Sequence, residues 1–277
     1  MLRTLLFLVF IVVGVGGYLL YDSARVEGGD YAVAEELTEL AEDRSAELAR
    51  ARQSCEREVL LAFLAEQERR TEEQPEDVES WRVLAETHLE LGLLDDVESA
   101  MEIGEPIRDA VSDQLLAHIE GGLAAVERAR ALGDEHADLY RIEASLIAMH
   151  IHDLVSALSV QAAAKAALDR AVEIDGNHPR VQIAAGCRLL FAPPILGGDA
   201  AQGLELLLAG SQGLPYDERP LQMIALAYWE LEQFEEARAW LARALERTPS
   251  NPFTAAVLER IDRGEEEPFS RAIGEEL

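Results

Sequence analysis

The sequence predicts an all-α protein: a superhelix of about five helical hairpins with a transmembrane helix at its N-terminus. Three observations carry this. Apolar residues recur at steps of three and four along most of the 277 residues, and almost nothing alternates as a strand would. Proline and glycine punctuate the chain between successive helix pairs. Residues 5–21, LLFLVFIVVGVGGYLLY, hold no charge. The chain divides into an anchor or signal peptide (1–22), a linker with a long helix (23–74), a repeat domain (75–263) and an acidic tail (264–277).

The charge-free run sits near the lower limit of about 17–25 residues for a spanning helix. Two readings stand. As an anchor, it places Tyr18 and Tyr21 where aromatic rings favour the membrane interface. As a cleavable signal peptide, it offers Val15-Gly16-Gly17 as the small-residue site, which would leave two tyrosines exposed at the new terminus. No cysteine lies near it, which rules out a lipoprotein signal. Gly14, Gly16 and Gly17 make no dinucleotide fingerprint, since no strand-to-helix context surrounds them. Arg3 and the α-amino group on the N-terminal side give an orientation with the N-terminus in the cytoplasm and the bulk in the periplasm of a bacterium. Signal cleavage would instead release a periplasmic protein.

Gly28-Gly29 breaks the chain after the span. No glycine or proline follows until Pro75. Leu37, Ala41, Leu48, Ala51, Cys55, Val59 and Ala62 form a helical stripe, widened by Leu60, Leu61, Phe63 and Leu64. Such a helix reaches about 60 Å. It reads as a stalk, as a coiled coil through which residues 31–70 make a homo-oligomer, or as a first helix packed on the domain. Cys55 reads as a small core residue; a bridge to Cys187 would need Cα atoms brought within reach.

The clearest hairpin lies near the C-terminal end. Leu221, Ile224, Ala225 and Tyr228 mark one helix, Leu231 and Phe234 cover a turn, and Ala237, Leu241 and Ala244 mark a second helix closed by Pro249. Ala225 and Ala237 sit where two antiparallel helices must approach closely. This pattern resembles a tetratricopeptide repeat, a helix–turn–helix unit of about 34 residues stacked into a solenoid. Upstream, Trp81, Leu84, Ala85 and His88 resemble a first helix, with a turn at Leu91-Gly92 and a degenerate second helix at Val97, Met101 and Gly104. Residues 106–119 and then Ala125, Ala129 and Leu132 make a weak unit. Tyr140 and Ala144 start a first helix that runs to about residue 158, and its partner carries Ala164, Leu168 and Ala171 before IDGNHP. Gly186 and Leu189 open the next unit, whose second helix holds Gly203, Leu207 and Gly210. Between them FAPPILGGD lengthens the turn, with Asp199 placed as an N-cap. Such PP…GGD insertions resemble those of bacterial periplasmic repeat proteins, including the T-component of TRAP-type transporters.

The resemblance implies a concave face lined by first helices. In the last repeat those positions are Arg219, Gln222, Met223, Leu226, Trp229 and Glu230. In the preceding repeat they are Arg180, Ile183, Ala184, Cys187, Leu190 and Phe191. Repeat domains that clamp a C-terminal carboxylate use paired Lys and Asn there, and this chain does not. Trp229 and Phe191 read as apolar anchors, or Trp229 as packing on the next helix. The face would hold a peptide or protein partner; the alternative is a small-molecule-binding accessory of a transport system.

Composition narrows the rest. With 24 Lys and Arg against 53 Asp and Glu, the net charge is −29, which argues against nucleic acid as partner. The apolar share of 49% is too high for a disordered chain. Only Lys165 is lysine. Two cysteines make no disulfide scaffold or zinc framework. His150 and His152, two apart, point in different directions on a helix; His150 and Asp153 share a face but lack a third ligand. No phosphate loop, calcium loop or nucleophile motif is present. The reading is therefore a non-enzyme without metal or cofactor.

Overall fold

The computed structural model describes residues 47–48, 51, 57–102, 111–151, 154–215, 217–249, 251–265 and 268–269. The expected span at 5–21, most of the long helix before residue 57, Cys55, His152, Asp153 and the end of the acidic tail lie outside the described residues. Among the described residues no helix is long and apolar enough to cross a membrane.

The described residues form ten α-helices and no strand, consistent with the predicted α–α superhelix. They are α1 (Arg57–Glu73), α2 (Val78–Glu102), α3 (Asp113–Ala131), α4 (Ala137–Ala148), α5 (Leu154–Asp175), α6 (Pro179–Phe191), α7 (Ala200–Gln212), α8 (Arg219–Glu230), α9 (Phe234–Arg247) and α10 (Pro252–Asp262). The main packing pairs are α2 with α3, α4 with α5, α6 with α7 and α8 with α9. Four hairpins result, flanked by α1 and α10, where the repeat spacing predicts about five.

Helix ends follow local chemistry. Ser112 Oγ accepts from Leu115 N at 3.1 Å and caps α3; Asp199 caps α7 as expected, accepting from Gln202 N at 3.0 Å. Asn251 caps α10 through Thr254 N at 3.0 Å. Proline opens α6 and α10, where a missing N–H costs nothing. Three boundaries differ from expectation. First, α2 continues through Leu91-Gly92 without a turn. Gly92 instead admits close neighbours: a Cβ there would stand 3.1 Å from Met149 Sδ and 3.3 Å from Leu115 Cδ1. The partner of α2 is therefore α3, not a helix at 97–104. Second, residues 106–119 and 121–133 are not two arms, because α3 runs unbroken through Gly121 and Gly122, which face His88 and Leu146. Third, α4 stops at Ala148 although no proline or glycine is present. Met149 and Ile151 are both buried. Two residues apart, they would point to opposite faces of one helix, and the break lets both reach the core.

Of the three readings of the long helix, packing on the domain holds for residues 57–73: Leu60 and Leu64 of α1 join Leu84, Leu91 and Ile119 in one core. A second core joins Leu207, Ile224, Leu241 and Val257 across α7 to α10. Between the two, α4, α5 and α6 meet through small residues, Ala137, Ala144, Ala167 and Ala171 among them. In the third hairpin, α6 and α7 approach closely. A Cβ on Gly186 would stand 2.9 Å from Gly203 O, and one on Gly203 2.9 Å from Gly186 O. Both glycines were expected at small positions.

Candidate functional site: the concave cavity

The first helices of the four hairpins, α2, α4, α6 and α8, are tied together near one end by buried ion pairs. Arg141 of α4 reaches Glu86 of α2 at 3.1 Å and pairs with Asp138. Arg180 of α6 also pairs with Glu86 and lies 3.5 Å from Asp138. Arg219 of α8 reaches Glu90 of α2 at 3.1 Å and Asp217 at 2.9 Å. The three arginines recur every 39 residues, from 141 to 180 to 219. Burial opposes ionisation of Asp138, but Arg141 and Arg180 outweigh it and hold the carboxyl well below the usual range. The charge of Glu86 raises Arg180 further above its ordinary value.

Above this ladder the helices line a half-open cavity of about 310 Å³. Leu89 and Leu93 of α2, Ala144, Ser145 and Ala148 of α4, and Met223 of α8 line it, as do Met149 and Ile151 after α4. One stripe of α5 contributes Leu158, Gln161, Ala164, Lys165 and Leu168, and one stripe of α6 contributes Ile183, Ala184, Cys187, Arg188 and Phe191. The Pro193 turn and Leu196 close the wall beside Phe191. Leu158 and Leu196 stay exposed at the rim. Burial pushes the Cys187 thiol up to about 12, so it stays protonated.

Of the residues expected on the concave face, Arg180, Ile183, Cys187, Phe191, Arg219 and Met223 meet in this cavity. Five others do not. Gln222 is buried and donates to Thr254 Oγ1 of α10 at 2.6 Å. Leu190 and Leu226 belong to the core between α8 and its neighbours. Trp229 packs at a tilt against Phe234 with centroids 4.6 Å apart and against Phe269 at 5.9 Å, beside a shallow depression that also includes Glu230. Helix phase alone groups these five with the cavity set. Glu86, Glu90 and Arg141 were missed. The signal that points to the arginines is their 39-residue recurrence, hidden by a search at the 34-residue period.

Among the described residues, no cluster of three His, Cys, Asp or Glu side chains could hold a metal ion. His150 lies with Nδ1 3.3 Å from Ile147 O.

A tetratricopeptide repeat family profile matches residues 219–251, which span α8, its turn and α9. The match supports the tetratricopeptide repeat superfamily and a role in protein–protein interaction for the repeats. No curated protein matches the chain.

Proposed function

We propose that the chain is a membrane-tethered scaffold that holds a peptide or protein segment on the concave face of its repeats. The observation that carries this is the continuous wall built by the first helices of four stacked hairpins. The tether is the uncharged run at 5–21, with the repeats on the periplasmic side, or released there after cleavage. A photo-crosslinking residue in place of Phe191 is expected to trap a partner that the same residue in place of Trp229 does not. Equal trapping at both positions, or at neither, counts against the groove. An alkaline-phosphatase fusion at the C-terminus is expected to be active; an active cytoplasmic reporter reverses the orientation.

A second reading is favoured by the cavity on this face. Arg219 and Glu90 bridge the last hairpin to the first beside a half-open cavity of about 310 Å³. That size sits at the small end of pockets for small molecules, roughly 300–1,000 Å³. It suits a small-molecule-binding accessory of a transport system. No catalytic step, metal or cofactor is assigned in either reading.

A further inference from the structure

The cavity departs from the electrostatics of the chain around it. The protein carries −29 overall. Five cationic and three carboxylate side chains line the cavity, and with Asp138 and Asp169 paired beside them the site is neutral. Three of the cations, Arg141, Arg180 and Arg219, are held by carboxylates in the ladder. Arg188 is different. It lies on the cavity stripe of α6, half-buried, and among the described residues its guanidinium makes no ion pair or hydrogen bond. Lys165, the chain's only lysine, lines the facing stripe of α5. Its partner Asp169 is on the next turn of the same helix, and both side chains are half exposed. Such a pair is worth little and is easily exchanged for a better acceptor.

We propose that this cavity binds a small single-chain amphiphilic anion, with its charged head on Arg188 and Lys165 and its apolar chain among Leu93, Met149, Phe191 and Met223. The proposal rests on the small-molecule reading above and names the ligand class for it. The volume corresponds to roughly ten water molecules, hence a ligand of about ten non-hydrogen atoms. A half-buried guanidinium without a carboxylate gains most from an anion, because a fork of N–H donors in low dielectric makes charge-assisted bonds. A peptide strand fits less well. Its backbone would bring a donor and an acceptor with every residue. Beyond the charged groups, the walls offer only Ser145 and Gln161 as polar side chains. The shared chemistry is an anionic oxygen head, which a fatty carboxylate and an alkyl phosphate both supply.

The test uses the full chain in lipid nanodiscs, with empty nanodiscs as blank, and follows retention of radiolabelled decanoate, decyl phosphate and the neutral 1-decanol. Saturable binding of either anion is expected, with Arg188→Gln weakening it roughly tenfold or more while decanol retention stays unchanged. Lys165→Gln is expected to act in the same direction, and Ala184→Trp, which fills the cavity, to remove binding of all three. Preference for decanoate or for decyl phosphate identifies the head. If decanol and the anions bind alike and Arg188→Gln changes nothing, the cavity is a small-molecule site but the anion assignment is wrong. If neither anion nor decanol binds a protein that melts normally, the proposal and the small-molecule reading fall together. Binding of an apolar peptide where decanoate is not retained also overturns it, in favour of the scaffold reading.

Discussion

Arg219, at the start of α8, donates from Nη1 to Glu90 Oε2 of α2 at 3.1 Å, across 129 residues of chain. The contact joins the first hairpin to the last, so the superhelix closes on its own concave face. Stacked repeats ordinarily touch only their neighbours, and their stabilities add almost locally. Here a non-neighbour bond couples the ends.

That coupling is measurable. Arg219 keeps Asp217 when Glu90 is removed, so Glu90→Ala should cost less than breaking an isolated buried pair, about 1–3 kcal/mol. In a double-mutant cycle with Arg219→Ala, urea unfolding is expected to give an interaction energy of about 1–2 kcal/mol. Strictly additive losses would mean that the two ends are energetically independent.

The insertion after α6 makes a second prediction. Gly197 has φ 84°, and Gly198 packs on the preceding turn so tightly that a Cβ would lie 1.6 Å from Ala192 O. A backbone carbonyl cannot swing aside as a side chain can. Gly198→Ala must therefore displace the turn, with loss of the bonds from Gly198 N to Pro193 O and from Asp199 N to Leu189 O. The expected cost is about 2–3 kcal/mol. Gly197→Ala meets nothing within 4 Å and pays only for the left-handed backbone, about 1–2 kcal/mol. Thermal melts should rank Gly198→Ala below Gly197→Ala; the reverse order would show that the turn is not clamped at Ala192.

These contacts also explain what could be read from the chain. The last hairpin was legible because Leu221, Ile224 and Ala225 and then Ala237, Leu241 and Ala244 keep one helical phase between clear breaks, and all are buried. Gly92 was not, because glycine signals a turn and a close approach equally. Its neighbours Leu115 and Met149, 23 and 57 positions further on, tell the two apart. The end of α4 carries no breaker at all and becomes sensible only once Met149 and Ile151 are seen to share a core. In the site, Arg180, Ile183, Cys187 and Phe191 followed from phase on α6. Gln222 and Leu226 had the same phase on α8, but α10 and the surrounding core cover them. Glu86 and Glu90 were invisible for another reason. A carboxylate on a helix reads as a solvated face until the arginine that buries it is known, and those arginines lie 55 to 129 residues away.

The α2–α3 interface predicts acid sensitivity. His88 Nδ1 and His118 Nδ1 lie 3.1 Å apart, so one ring donates and the other accepts. Protonation of both rings would leave no acceptor and set two charges side by side. Burial, and then the charge of its neighbour, lowers His88 to about 4; burial, and then Arg57, lowers His118 to about 4. Both rings are therefore neutral when folded and titrate near 6.5 when unfolded. Below 6.5 the unfolded chain takes up protons that the folded chain refuses, so stability present above that pH is lost as pH falls toward 4. Asp95 faces His118 Nε2 at 3.4 Å and pairs with Arg57. Burial raises the Asp95 carboxyl despite Arg57, so its earlier protonation in the folded state partly offsets the histidines. Asp138 contributes only at lower pH, below its ordinary value of 3.8, because its folded carboxyl is held down. The net loss between pH 6.5 and 4.5 should be on the order of 2 kcal/mol, after allowance for that offset and for partial solvation of His88. Urea unfolding at a series of pH values checks it. The double variant His88→Gln, His118→Gln is expected to show a flatter profile across that window, and a profile parallel to wild type would remove the pair as the origin.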